Sequence, residues 1–181
     1  MPDYLAIGSD KDFVRMPMTP QTAQRIADRF GCVLPTRKMV HLIDQHAELH
    51  LAPQPLTRER EAVDTFLEHH RIIEKQRAGK PLGVLVTGIK KDIVLTPRIF
   101  ERPNRLAIYG WRQPDGQPIQ PLTIAHSDRY VDYSHGVRLI RDTIVVDGKT
   151  ERISQLLKDP ARCTLVSDEG PMDPPRYPLD K

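Results

Sequence analysis

The chain of 181 residues has little cysteine, few aromatic residues and no long apolar segment. Its two cysteines, Cys32 and Cys163, are too few for a disulfide framework, so a domain of this length must rely on its hydrophobic core. No run approaches the roughly 18 apolar residues that a membrane span needs, and the N-terminus lacks the basic start and apolar stretch of a signal peptide. We therefore expect a soluble protein without a membrane partner, either cytoplasmic or exported with its signal already removed.

Clusters of basic residues are absent as well. Lys and Arg number 27 against 24 Asp and Glu, and they are scattered along the chain. Proteins dedicated to nucleic-acid binding usually concentrate positive charge on one face or interleave it with stacking aromatic side chains. Aromatic residues here make up only 6% and include a single tryptophan. We therefore expect a small-molecule or polymer substrate in preference to a nucleic acid.

Helical patterns occupy the first part of the chain, after a short N-terminal β-hairpin. Thr19 is a good N-cap for a first helix, which Gly31 ends. Thr36 caps a second helix that is predicted to run to about Leu51. Thr57 caps a third, over "REREAVDTFLEHHRIIEKQRAG", in which the spacing turns His70 toward the apolar side and places its neighbour at the edge.

Strand patterns follow, because the hydrophobic period changes from about 3.6 to about 2. The stretch "VLVTGIKKDIVLTP" predicts a strand bent at Gly88, with its lysines solvated, and Asp115-Gly116 predicts a hairpin turn. "YVDYSHGVRLI" predicts another strand, and "ERISQLLKD" a short late helix. We expect one α+β domain over residues 1–166, with three N-terminal helices packed on a C-terminal, mainly antiparallel sheet, and an extended proline-rich tail at 167–181.

The segment "HSDRYVDYSHG" carries the densest group of reactive side chains. On a strand, His126, Asp132 and Ser134 would share one face, while His135 would lie on the apolar face. In a straight strand His126 would be about 20 Å from Asp132. These residues can act together only if the chain bends between residues 127 and 129.

A thiol hydrolase is the first functional hypothesis. Cys32 lies just before the second helix, and Arg37 and Lys38 add local positive charge that would stabilise a thiolate. Its preferred form uses Cys32 as nucleophile, His126 as general base and Asp132 as polar support, acting on an amide or ester bond.

A zinc hydrolase is the second hypothesis. His46 and His50 are one helical turn apart and project along the apolar face of the predicted second helix, so both could reach one Zn²⁺ ion. Glu48 projects to the opposite side, so the HExxH arrangement of metalloproteases is absent. A third ligand would come from another element: His126, Asp132 or His70. Without a metal, the two histidines are core or pocket residues.

A non-catalytic module that binds carbohydrate or protein is the third hypothesis. Tyr109 and Trp111 alternate on one face of the predicted strand "IYGW", which suits a stacking platform or a core. Tyr130 and Ser134 would extend the same contact surface or line a substrate site. An exposed Trp111 would indicate a stacking platform, and a buried Trp111 would indicate a core.

Overall fold

The computed structural model describes residues 1–179 and shows a mixed α+β fold. Five α-helices occur in this range: α1 (Pro20–Arg29), α2 (Arg37–His46), α3 (Val63–Arg77), α4 (Arg98–Glu101) and α5 (Ile153–Leu156). In the same range, no helix is long and apolar enough to cross a bilayer. The predicted α+β class is confirmed.

The strands form several small sheets in which antiparallel pairing predominates. They are β1 (Ala6–Ser9), β2 (Asp12–Arg15), β3 (Cys32–Val33), β4 (Leu49–His50), β5 (Val86–Thr87), β6 (Lys91–Ile93), β7 (Ile108–Arg112), β8 (Pro118–Thr123), β9 (His135–Gly136), β10 (Ile140–Arg141), β11 (Ile144–Val146) and β12 (Lys149–Glu151). The largest sheet has the order β8-β7-β6-β9, and only its β6–β9 pair is parallel. The pairs β1–β2, β3–β10 and β11–β12 are antiparallel, whereas β4–β5 is parallel.

The first three helices contact different sheets. Helix α2 packs against β7 of the four-stranded sheet, α1 packs against β3, and α3 packs against β2. The expected packing of all three helices on one C-terminal sheet is therefore not confirmed. Side chains from α3 and from the four-stranded sheet meet in one interior, which contains the site described below.

The predicted starts of the first two helices and the stop of the first helix are confirmed. The hydroxyl of Thr19 accepts a hydrogen bond from the Thr22 amide, and that of Thr36 accepts one from the Met39 amide, both at 3.2 Å. Gly31 follows α1 with a φ of +62°, the left-handed conformation that glycine adopts readily.

Helix α2 ends earlier than its sequence pattern predicts. Its last residue is His46, not a residue near Leu51. The amides of Glu48 and Leu49 donate to the carbonyl of Leu85, at 2.9 and 3.1 Å, and start the parallel β4–β5 pair. Hydrogen bonds to a distant segment thus replace those that would have continued the helix.

Helix α3 begins later than predicted, at Val63 instead of just after Thr57. The residues before it, 52–62, form a connection that we call the cover segment because it packs on the site described below. Its Arg60 carbonyl accepts a hydrogen bond from the Tyr133 amide at 2.9 Å. This tertiary bond holds the segment outside the helix.

The predicted bend and hairpins are present. Gly88 lies between β5 and β6 with a φ of +85°, and a Cβ there would be 1.8 Å from the carbonyl oxygen of Leu51. The Asp115-Gly116 turn joins β7 to β8, and Asp147-Gly148 joins β11 to β12. The Asp-Gly pairs therefore mark the positions of these hairpin turns correctly.

The segment after residue 166 belongs to the main core. It was expected to be an extended tail, and residues 167–179 contain no helix or strand. Met172 and Tyr177 are nevertheless buried in the largest hydrophobic cluster. The Tyr177 hydroxyl donates to the carbonyl of Val94 at 2.8 Å and accepts from the amide of Ala107 at 3.0 Å. The remainder of the predicted tail, 180–181, lies outside the described residues.

Candidate active site

The segment that was expected to be a continuous strand is mostly a pair of turns. The Tyr130 amide donates to the Ser127 carbonyl at 3.0 Å, and the His135 amide donates to the Asp132 carbonyl at 3.1 Å. Only the short β9 remains as a strand before β10 begins. The chain therefore bends just after His126, which is the condition for His126 and Asp132 to approach each other.

Asp132 is the centre of these turns and is almost fully buried. Its Oδ1 accepts from the Ser134 amide at 2.8 Å and from the Ser134 hydroxyl at 2.5 Å. Its Oδ2 accepts from Arg60 at 2.8 Å and from the Tyr130 hydroxyl at 3.1 Å. Burial raises the pKa of Asp132, but the charge on a protonated His135 and the bonds from Ser134 and Arg60 outweigh it and hold the pKa well below its usual range.

His135 lies beside Asp132 with no solvent exposure. Its Nδ1 accepts from the Asp132 amide at 3.4 Å, which places the proton of the neutral ring on Nε2. Nε2 is 3.8 Å from Asp132 Oδ1 and has no hydrogen-bond partner in the described part of the chain. Burial lowers the pKa of His135 to about 4, against the attraction of Asp132. At neutral pH the ring is therefore uncharged, and the Ser134 and Arg60 bonds carry the stabilisation of the Asp132 carboxylate.

His69 enters the same interior from α3, and among the described residues neither of its ring nitrogens has a hydrogen-bond partner. Its ring meets Tyr133 and Trp111 edge-on, with centroids 4.8 and 6.0 Å away. Burial, followed by the charge of Lys90, lowers the pKa of His69 to about 3. The Gln54 carbonyl of the cover segment favours the charged ring but does not reach hydrogen-bonding geometry.

The predicted orientation of α3 is wrong. The buried stripe passes through Phe66, His69 and Ile73, whereas Val63 is 60% exposed. His70, expected on the apolar side, is half-buried, and its Nδ1 lies 3.3 Å from an Arg15 nitrogen. The cause is that an aromatic pocket formed by distant strands receives the histidine that local hydrophobicity placed at the helix edge.

Lys90 is 1% exposed, contrary to the expectation of a solvated basic stretch. Its ammonium donates to the Tyr133 carbonyl at 2.5 Å, and within residues 1–179 it forms no ion pair with a carboxylate. Burial, followed by the charge of Arg15, lowers the pKa of Lys90 to about 7. The sequence signal that was missed is that the lysine pair lies one residue before the apolar run that starts at Ile93.

Lys91, the next residue, lies close to Trp111 and His135. Its ammonium is 5.4 Å from the centroid of the Trp111 ring. Its cross-strand partners are Gly110 on one side and His135 on the other. Burial lowers the pKa of Lys91, while the charge of Asp132 opposes that shift. Lys91 is half-buried and so connects this interior with solvent.

Trp111 is 4% exposed, which corrects the hypothesis of a surface stacking platform. The β7–β8 register shifts between Ile108 and Gly110, and both Gly110 and Trp111 have a positive φ, of +100° and +51°. This local backbone conformation breaks the alternation that would have put Trp111 and Tyr109 on one face. Tyr109 instead accepts a hydrogen bond from Arg112 at 2.7 Å in a separate cluster, while the Trp111 Nε1 has no hydrogen-bond partner within residues 1–179.

The structure brings five of the predicted site residues to this region: the buried Trp111, and a group formed by His126, Tyr130, Asp132 and Ser134. The half-buried His126 ring stacks on Tyr130 with centroids 4.4 Å apart, and Tyr130 reaches Asp132 through its hydroxyl. Ser134 is fully buried and holds Asp132, so it supports the carboxylate and is not an exposed contact residue. His126 therefore lies at the rim of the site.

Cys32 lies elsewhere. It pairs with Arg141 in the β3–β10 sheet, and its thiol donates to the Phe30 carbonyl at 3.5 Å. In the part of the chain that the structure describes, no contact joins it to His126 or Asp132. The half-buried sulfur lines an apolar cavity of about 450 Å³. The second cysteine is buried, and both are free.

The two histidines of the zinc hypothesis are not on one helix face. His46 is exposed in the last turn of α2, whereas His50 is exposed in β4 with its Nε2 3.0 Å from the Asp44 carbonyl. Throughout residues 1–179, no three His, Cys, Asp or Glu side chains are grouped so that they could hold a metal ion. The early end of α2 is the physical reason, because it removes the one-turn spacing.

The buried polar residues around the 130–136 turns form one group, which we call the Asp132 cluster. It comprises Arg60, His69, Lys90, Lys91, Trp111, Tyr130, Asp132, Tyr133, Ser134 and His135. Strongly shifted pKa values in a shared interior are typical of functional sites. No protein-family model matches the chain, and no curated protein or solved structure matches it significantly. The function is therefore inferred from this cluster.

Proposed function

We propose that the protein is a hydrolase for amide or ester bonds and that the Asp132 cluster is its active site. The observation that carries this proposal is Lys90, a buried amine that has no carboxylate partner within residues 1–179, beside His69, whose two ring nitrogens are unpartnered in the same range. With a pKa near 7, Lys90 exists in both protonation states around neutral pH. A group of this kind can both accept and return a proton during a reaction.

In the proposed mechanism water is the nucleophile, and Lys90 first accepts its proton and then returns it to the leaving group. The neutral amine of Lys90 takes a proton from a water molecule, whose oxygen attacks the substrate carbonyl carbon while the π electrons move to the carbonyl oxygen. The charges of Arg60 and Lys91 stabilise the oxyanion. As the carbonyl re-forms, the bond to the leaving group breaks and the Lys90 ammonium returns the proton to that group. Asp132 is a polar support that orients Arg60.

The cover segment explains how substrate would reach a buried amine. The Leu56 amide donates to the Tyr133 hydroxyl at 2.6 Å, and that hydroxyl donates to the Leu56 carbonyl at 2.9 Å. Arg60 completes the closure by pairing with Asp132, and more than a third of its side chain is exposed. Displacement of this short connection, which lies outside any helix, would open the cluster at the Arg60 edge.

The test is hydrolysis of a panel of p-nitrophenyl esters and acyl p-nitroanilides by the full chain. We expect Lys90→Met to lower kcat/KM about 100-fold or more, while Lys75→Met, at an exposed position of α3, leaves it unchanged. Wild-type activity should rise as pH increases through 7. Full activity in Lys90→Met, or no turnover of any panel member by wild type, would contradict the proposal.

A thiol hydrolase centred on Cys32 is a second candidate, because its half-buried sulfur lines a cavity large enough for a small substrate. On this alternative, iodoacetamide abolishes activity and Cys32→Ala is inactive, while Lys90→Met remains active. The Lys90 mechanism predicts the reverse for both variants. The same panel therefore separates the two candidates.

A further inference from the structure

Several hydrogen-bond donors in the Asp132 cluster have no acceptor. Within residues 1–179, neither the Trp111 indole N–H nor the His135 Nε2–H has a partner, and both are buried. Leaving a buried donor unsatisfied costs roughly 1–3 kcal/mol. Two such donors beside one half-buried ammonium, that of Lys91, point to a ligand that supplies acceptor oxygens.

The three groups lie along one stretch of sheet. Neighbouring strands place cross-strand partners on the same face, so the Lys91 and His135 side chains project to the same side of the β6–β9 pair. On the other side of β6, Lys91 pairs with Gly110, and the centroid of the Trp111 ring that follows lies 5.4 Å from the Lys91 ammonium. Strand β6, which carries Lys91, therefore lies between the strands that carry the two unpartnered donors.

The cluster has an excess of positive charge. Arg60 carries a permanent charge and Lys91 and Lys90 are cationic when protonated, whereas Asp132 is the one carboxylate among the members of the cluster. Both oxygens of Asp132 already accept hydrogen bonds, two on each atom. That carboxylate cannot also satisfy Lys91, so an external anion would improve the local charge balance.

We propose that a substrate- or product-derived carboxylate binds between Lys91, the Trp111 indole N–H and the His135 Nε2–H. A carboxylate fits better than a phosphate, because phosphate sites are typically built from successive backbone N–H groups at a glycine-rich loop or helix N-terminus. The donors here are side-chain groups on strands. The inference rests on the proposed function for its role, because hydrolysis of an amide or ester releases a carboxylate.

The experiment uses Trp111, the single tryptophan of the chain, as its own reporter. The full chain is titrated with sodium acetate at constant ionic strength while intrinsic fluorescence is recorded, with sodium chloride and inorganic phosphate as parallel arms. We expect a saturable change with acetate and none with chloride. Lys91→Met should raise the acetate dissociation constant at least tenfold, and Lys75→Met should not change it.

Four results would overturn the inference: no saturable response to acetate, an equal response in the Lys91→Met protein, a response to chloride, or tighter binding of phosphate than of acetate. If Lys91→Met fails to fold, Lys91→Gln takes its place, with acetate-dependent thermal stabilisation as the second readout. Acetate binding without ester or anilide hydrolysis would support the carboxylate site and contradict the hydrolase. Hydrolysis without acetate binding would contradict the carboxylate site alone.

Discussion

Lys90 shows how a single side chain of the site affects stability. In the folded protein the pKa of Lys90 is about 7, against 10.5 for an ordinary lysine, because burial disfavours the ammonium. Between these two pH values the unfolded chain binds the proton more strongly, so the free energy of unfolding rises with pH across this window. A shift of this size corresponds to a few kcal/mol, present as a destabilisation below pH 7 and relieved as pH approaches 10.5.

We predict that Lys90→Met flattens this dependence. Methionine fills a similar volume without a charge, so the variant should be at least as stable as wild type at pH 7 and should lack the Lys90 contribution to the rise toward pH 9. Urea unfolding at the two pH values measures this, with Lys75→Met as the exposed control. If the free energy of unfolding rose equally with pH in wild type and in Lys90→Met, the Lys90 amine would not be desolvated in the folded protein.

Elements of this fold begin where local signals predict and often end where distant segments require. Thr19 and Thr36 cap α1 and α2 through hydrogen bonds to residues three positions away. By contrast, the end of α2 depends on the carbonyl of Leu85, which comes from another part of the chain. The bend at Gly88 combines both kinds of requirement, because its positive φ is local and its close contact with Leu51 is tertiary.

We predict that Gly88→Ala destabilises the protein much more than Gly79→Ala does. Both residues have a positive φ, which costs an alanine roughly 1–2 kcal/mol. Only at Gly88 would the added Cβ also lie 1.8 Å from a backbone carbonyl oxygen, whereas no atom lies within 4 Å of a Cβ at Gly79. Urea denaturation of both variants tests the difference. Similar losses in the free energy of unfolding of the two variants would mean that β4 and β5 are not in close contact.

At the scale of the whole molecule, the C-terminal segment completes the main core. Tyr177 is buried, and its hydroxyl bridges the Val94 carbonyl and the Ala107 amide on two segments of the sheet region. Removing it leaves a cavity and two unsatisfied backbone groups. The segment should therefore contribute to the cooperative unfolding of the domain.

We predict a loss of about 3 kcal/mol or more for Tyr177→Ala and about 1–3 kcal/mol for Tyr177→Phe in the free energy of unfolding. Val145→Ala is the control, because Val145 is 68% exposed and such surface changes usually stay within about 0.5 kcal/mol. Chemical denaturation provides all three values. If Tyr177→Ala left the free energy of unfolding unchanged, the expectation of an extended tail after residue 166 would be restored.

The sequence by itself determined the α+β class, two helix starts, the hairpin turns and the bend at Gly88, because capping and turn residues act on backbone groups a few positions away. It also singled out Asp132, whose turn partner Ser134 is two residues distant. Tertiary structure alone decided the burial of Lys90 and Trp111, the inward orientation of His69 and the separation of Cys32 from the cluster. These features depend on pairing between segments far apart in the chain, which no local pattern specifies.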